Sequence, residues 1–282
     1  ASLAMLVLIS NRMKAEQAGW LAAILTALSF FWIVMFVSGM ETMLYSLLTL
    51  LTLLAAIERP RWTGVAAGVL MLTRYDGVLT AIAALAFIGL RRSPREALIE
   101  ACKAAAIYLP WFLFSWLYFG SPIPQTVLAK HVAHYTDWPS ACEHFRVYAL
   151  HQPLVLLHLL LAAVGVFWLV RRRSDWLLLP AWAVFFTAVF FLTRTPVLFF
   201  VWYLVPVIPV FLLLSAFGLW ESIRRVRQLT FGEQALLFAV AGVLLLIPQA
   251  HYLNSRTDQY GNMALRREDG YKTTALALRR YL

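Results

Sequence analysis

The sequence predicts an all-α fold: a polytopic bundle of transmembrane helices carrying one short re-entrant hairpin. Three observations predict it. Of 282 residues, 62% are apolar and 13% charged, where a soluble domain carries roughly 45–50% and about 25%. Long apolar runs recur along the whole chain, separated by short polar loops. The 24 lysines and arginines lie in those loops, so the net charge of +10 is not the footprint of a nucleic-acid-binding face. The same composition excludes a water-soluble globular enzyme and a disordered chain. Two cysteines, Cys102 and Cys142, are too few for a disulfide scaffold.

A helix needs about 20 residues to cross a ~30 Å hydrocarbon layer. Residues 3–9 read as the tail of an apolar helix without a signal-peptide pattern, and 273–282 stop inside an apparent helix. The sequence is therefore expected to be the middle of a longer protein. Apolar segments at 20–37, 40–57, 104–119, 153–170, 176–192, 200–220 and 229–248 are the expected spans, some tilted or anchored by rim aromatics. Between them, 64–73 and 78–90 flank the polar knot Arg74-Tyr75-Asp76-Gly77. Read as a hairpin, this piece puts Arg12, Lys14, Arg59, Arg61, Arg91, Arg92, Arg95, Lys103, Arg171 to Arg173, Arg224, Arg225 and Arg227 on one side. Only Arg74, Lys130, Arg146 and Arg194 remain in the short loops of the other. A single crossing would remove that asymmetry, so the positive-inside rule selects the hairpin. Its arms are too short to cross, which puts Arg74 and Asp76 within the outer half of the membrane profile, where ionisable residues mark function. Residues 1–248 are expected to form the transmembrane domain, with an outer loop at 120–152. Residues 249–282 are expected to begin an outer segment.

The polar chemistry then gathers on the outer face. Ser38 with Glu41, and Thr73 with Asp76, have capping-box spacing, and capping alone explains each pair. Alternatively, two carboxylates with Arg74 between them face the outer leaflet, an arrangement suited to holding a phosphate and orienting or deprotonating a hydroxyl. Ser93 with Glu96, and Pro94 at the first helical position, form a third box on the cytoplasmic side. In the segment 118–130 the prolines break the outgoing helix, Gln125 and Thr126 offer hydrogen bonds, and Lys130 offers a point charge for phosphate. Arg194 is an interface snorkel or a second phosphate ligand. Trp202 and Tyr203 precede Pro206 and Pro209, which predict a kink or local unwinding of the span 200–220. His131 and His134, lacking a third ligand at fixed spacing, do not make a zinc site. No ATP-binding motif occurs.

Taken in order, SGMET (38–42), LTRYDG (72–77), YFGSPIPQTVLAK (118–130) and FFVWYLVPVIP (199–209) resemble the GT-C type membrane glycosyltransferases. The likeness is to the branch that includes the terminal β-arabinofuranosyltransferases of actinobacterial cell-wall arabinan. Tyr75 stands where that pattern carries proline and Gln125 where it carries asparagine. The resemblance implies a multi-pass enzyme of the plasma (inner) membrane with its active site facing outside or the periplasm. It implies transfer of a sugar from a polyprenyl-phosphate donor to a glycan or cell-envelope acceptor, with no partner in nucleic acid. The donor phosphate would meet Arg74, Lys130 and Arg194, and Gln125, Thr126, Trp202 and Tyr203 would contact substrate. Glu41 and Asp76 are the candidate acids, and the family's own catalytic aspartate would precede Ala1. No resident cofactor is implied beyond a possible divalent metal. A multi-span transporter or lipid flippase, and a non-catalytic assembly subunit, are the alternatives that the same spans allow.

Overall fold

The computed structural model describes residues 1–121, 137–150, 154–195, 201–226 and 229–252. Among them the fold is helical throughout, with no strand. In chain order the helices are α1 (Ser2–Arg12), α2 (Glu16–Ala27), α3 (Phe30–Val37), α4 (Thr42–Glu58), α5 (Thr63–Thr73), α6 (Gly77–Arg91), α7 (Pro94–Phe119), α8 (Trp138–Leu150), α9 (Val155–Arg171), α10 (Leu178–Leu192), α11 (Val207–Ile223) and α12 (Phe231–Tyr252). Three segments are long and apolar enough to cross a membrane: Pro94–Phe119, Asp175–Leu192 and Phe231–Tyr252. A fourth forms if α2 and α3 are one broken span, bent by 63°. Helices α4, α9 and α11 are apolar but have 17 residues each. This is a membrane protein by the apolarity and length of its helices.

The expected span 20–37 is where sequence and structure differ most. Neither proline nor glycine marks the break. Ser29 takes an extended conformation, is fully buried, and separates α2 from α3. The prolines at 206 and 209 act as expected: a 3₁₀ turn at Val201–Tyr203 and an irregular turn precede α11, which starts only at Val207. Helix α8 lies inside the stretch read as a loop. Asp137 accepts from Ser140 N at 3.0 Å at its start, and this bonding holds the Asp137 carboxyl below its usual range. Helix α12 continues to Tyr252, four residues beyond the boundary expected at 248.

Contacts between helix ends fix the topology. Ser2 Oγ donates to Met43 O at the start of α4, while Arg12 pairs with Glu58 at its end, so α1 and α4 run parallel. Arg92 reaches the Ile57 carbonyl, and Lys103 Nζ the Arg61 carbonyl. The end of α6 therefore returns to the start of α5, making α5 and α6 an antiparallel hairpin. Glu100 of α7, buried, accepts from Gly64 N at 2.8 Å and from Lys103 at 2.5 Å. It thus caps the orphan amides of α5 from a neighbouring helix. Arg91 pairs with Asp175 at 3.4 Å, setting α10 antiparallel to α6, and Trp182 Nε1 donates to Thr80 Oγ1 at 2.9 Å higher up.

These ties sort the charges. Arg12, Arg59, Arg61, Arg91, Arg92, Lys103, Arg172, Arg224 and Arg225 all fall at one end of the bundle, whereas Glu41, Arg74, Asp76, Arg194 and Tyr203 fall at the other. Cys102 and Cys142, both exposed thiols, lie towards opposite ends. The core between the ends is built from aromatic and aliphatic side chains, with Trp182, Tyr45, Phe31, Phe186 and Phe217 fully buried.

Glycine sets the closest approach, between α9 and α11. A Cβ at Gly218 would collide with the Leu161 carbonyl oxygen, and one at Gly165 with that of Leu214. Small residues at such crossings let backbones touch where lipid supplies no hydrophobic drive between helices. Gly218→Ala is expected to lower stability by about 1–3 kcal/mol, measured as a thermal midpoint in detergent. Gly232→Ala, with nothing within 4 Å, is expected to stay within about 0.5 kcal/mol of the parent. Equal midpoints would show that α9 and α11 are not locked.

Candidate functional site

The site is built around one arginine. Arg74 follows the last residue of α5 and has extended backbone, φ −153° and ψ 135°. That conformation turns its side chain back across the hairpin tip. Arg74 Nε donates to Asp76 Oδ1 at 3.0 Å and Nη2 to Oδ2 at 3.2 Å, a two-point fork on one carboxylate. Nη1 donates to Glu41 Oε1 at 3.0 Å, reaching across to the start of α4. The guanidinium lies between two aromatic rings, 5.2 Å from the centroid of Tyr45 and 5.1 Å from that of Tyr203. Phe190 of α10 backs Tyr203 at 4.8 Å between centroids. Three separate pieces of chain therefore converge on this one cation, and a fourth, α10, backs them.

The two acids are not equivalent. The Asp76 side chain is 2% exposed and that of Arg74 8%, while Glu41 is 46% exposed. Asp76 is thus a fixed counter-ion, bound at two points and sealed from solvent. Glu41 is held through one contact and faces outward. With both acids ionised the cluster carries one net negative charge, and Arg74 retains free N–H bonds on its two terminal nitrogens.

Two expected capping boxes are absent, and this arginine is the reason. Ser38 Oγ donates to Met35 O and Thr73 Oγ1 to Leu70 O, so neither hydroxyl caps the following helix. Their partner acids, Glu41 and Asp76, are spent on Arg74. Helices α4 and α6 start without side-chain caps. The box at Ser93 does form: Ser93 Oγ accepts from Glu96 N at 3.1 Å.

Of the residues the sequence singled out, Glu41, Arg74, Asp76 and Tyr203 are brought together. Trp202 packs beside Tyr203, with 6.2 Å between ring centroids. Tyr203 is 5% exposed, and its ring walls Arg74. Arg194 is at the same end of the bundle but over Trp138, 5.6 Å from its ring centroid, in a left-handed backbone conformation with φ 52°. It joins α10 to α8 and does not touch the Arg74 cluster among the contacts described. Gln125, Thr126 and Lys130 lie outside the described residues, as do His131 and His134. Among the described residues no three His, Cys, Asp or Glu side chains cluster as metal ligands. Tyr45 is the residue the sequence reading missed. The available signal was its position four after Glu41 on α4, which puts both on one helix face.

Neither a protein-family model, a curated protein nor a solved structure matches the chain.

Asp76→Asn is expected to destabilise the protein by about 3–5 kcal/mol, because it leaves Arg74 buried with half of its counter-charge removed. Glu41→Gln, at an exposed ion pair, is expected to change stability by at most about 1 kcal/mol. Thermal unfolding in detergent distinguishes them, and equal losses would contradict the asymmetry of the two acids.

Proposed function

We propose that the protein is a membrane glycosyltransferase that moves a sugar from a polyprenyl-phosphate donor to a glycan or cell-envelope hydroxyl at the Arg74 end of the bundle. The observation that carries this reading is the unequal grip of Arg74 on its two acids. An incoming phosphate competes for Nη1 with Glu41, the single-contact, exposed partner, while the Asp76 fork keeps the guanidinium aimed. Glu41, displaced, is then free to take the proton of the acceptor hydroxyl. The acceptor oxygen bonds to the anomeric carbon, the bond from that carbon to the phosphate oxygen breaks, and polyprenyl phosphate leaves with the electron pair. The leaving group needs charge stabilisation more than protonation, and a preorganised arginine supplies it.

The surroundings suit such a donor. An apolar cavity of about 370 Å³ runs between α6 and α10, from Trp182 and Ile82 to Leu90 and Arg91. Its upper end meets Trp182, which is bonded to Thr80, one helical turn after Asp76. A prenyl chain whose phosphate rests at Arg74 would have an apolar path along α6. In this reading the α5–α6 hairpin is re-entrant, its arms of 11 and 15 residues spanning roughly 16 and 23 Å. The cation-rich end then faces the cytoplasm of a plasma (inner) membrane, and Arg194 lies on the outer side.

The test is consumption of radiolabelled polyprenyl-phosphate sugars by membranes carrying the protein. Glu41→Gln is expected to lower transfer about 100-fold, the usual contribution of a positioned general base, with insertion and melting unchanged. Arg74→Ala is expected to lower it by ~100-fold or more, and Arg12→Gln to leave it unchanged. Transfer by Glu41→Gln within threefold of the parent would remove the base from this mechanism. Donor that crosses the bilayer unconsumed would instead assign a lipid transporter.

A further inference from the structure

At the opposite end of the bundle, one carboxylate is surrounded by more positive charge than it neutralises. Glu221, in the last turn of α11, is fully buried. Arg172 Nη2, from the end of α9, donates to Glu221 Oε2 at 2.6 Å, and Arg225 Nη1 donates to the same oxygen. Arg224 Nη2 lies 3.1 Å from Oε1. One acid against three guanidiniums leaves two positive charges over. Four other acids at this end are committed elsewhere: Glu58 to Arg12, Asp175 to Arg91, Glu100 to Lys103 and Gly64, and Glu233 to Thr230, while Glu16 bonds Trp20.

Two of the three forks are also held by aromatic rings. Arg225 stacks on Trp168, 3.3 Å from the ring centroid, and Arg172 lies over Phe217 at 5.9 Å. The Gly165–Gly218 crossing fixes the helices that carry them. Each arginine keeps a third or more of its side chain exposed while most of its N–H donors are unspent. Preordered forks lose little conformational freedom on meeting an anion, and paired donors match phosphate oxygens better than a point charge does.

The flanks indicate which phosphate. Exposed Phe231 of α12 meets Trp220, the neighbour of Glu221, edge-on at 6.4 Å, and exposed Phe167 of α9 carries Arg171, the neighbour of Arg172, at 5.1 Å from its ring centroid. A free anion has no use for such flanks, whereas a lipid lays its acyl chains along them. We propose that Arg172, Arg224 and Arg225, ordered by Glu221, bind the phosphate of an anionic phospholipid headgroup in the leaflet at this end of the bundle. The site is separate from the Arg74 cluster, and it requires only that the chain resides in a membrane.

The experiment reads lipid retention by native mass spectrometry, after reconstitution with phosphatidylglycerol and phosphatidylcholine at equal mole fraction. The parent is expected to retain phosphatidylglycerol in preference. Arg224→Gln removes the most exposed of the three and leaves Glu221 two partners, so the fold is preserved. It is expected to weaken the preference about fivefold. Arg12→Gln, at the same end but paired with Glu58, is expected to leave it unchanged. Three results would overturn the proposal: no preference for the anionic lipid, an equal loss in both variants, or complete displacement by inorganic phosphate, which would assign the anion to solution.

Discussion

A buried cation must be matched where it lies, and in this bundle that requirement decides how the chain is assembled at one end. The Arg74 guanidinium has its charge answered by Asp76 and Glu41 and its faces by Tyr45 and Tyr203. Removing any one element, whether α4, the hairpin tip or the turn before α11, would strip the cation of a partner that water cannot replace. The same rule operates at the other end. Glu221 is buried only because three arginines surround it, and Glu100 only because Lys103 and the start of α5 meet it. The apolar middle needs no such matching, and it is held by shape: glycine at the α9–α11 crossing, aromatic rings around Trp182 and Phe186.

Much of this was legible in the sequence. Composition fixed the helical membrane class, and the asymmetry of lysine and arginine led to the hairpin over 64–90. The structure folds α5 and α6 back on one another and gathers the cations at one end. Arg74, Asp76 and Glu41 were legible as a group for the same reason: ionisable residues are too rare in apolar runs to be overlooked.

What escaped depends on partners far along the chain. The spacing of Ser38 with Glu41 matches a capping box, yet the competing claim on Glu41 comes from a residue 33 positions away. Nothing local distinguishes Tyr45 from other aromatics of the apolar runs; its partner Arg74 is 29 positions away. The break at Ser29 carries no proline or glycine signal in the sequence, and Ser29 is fully buried there. Glu221 carried half a signal, with Arg224 and Arg225 three and four residues on, but its third partner, Arg172, is brought in only by the tertiary fold.

The unequal lengths of neighbouring helices have a consequence for the shape of the bundle. Helix α5 packs alongside α7 with Gly64 level with Glu100 and Gly68 level with Ala104 and Ile107. The tip bearing Arg74 therefore lies near the level of Trp111, and α7 rises beyond it for about another 12 Å, eight residues at 1.5 Å each. Its upper turns, rich in tryptophan, phenylalanine and tyrosine and largely exposed, overtop that tip on the α7 side.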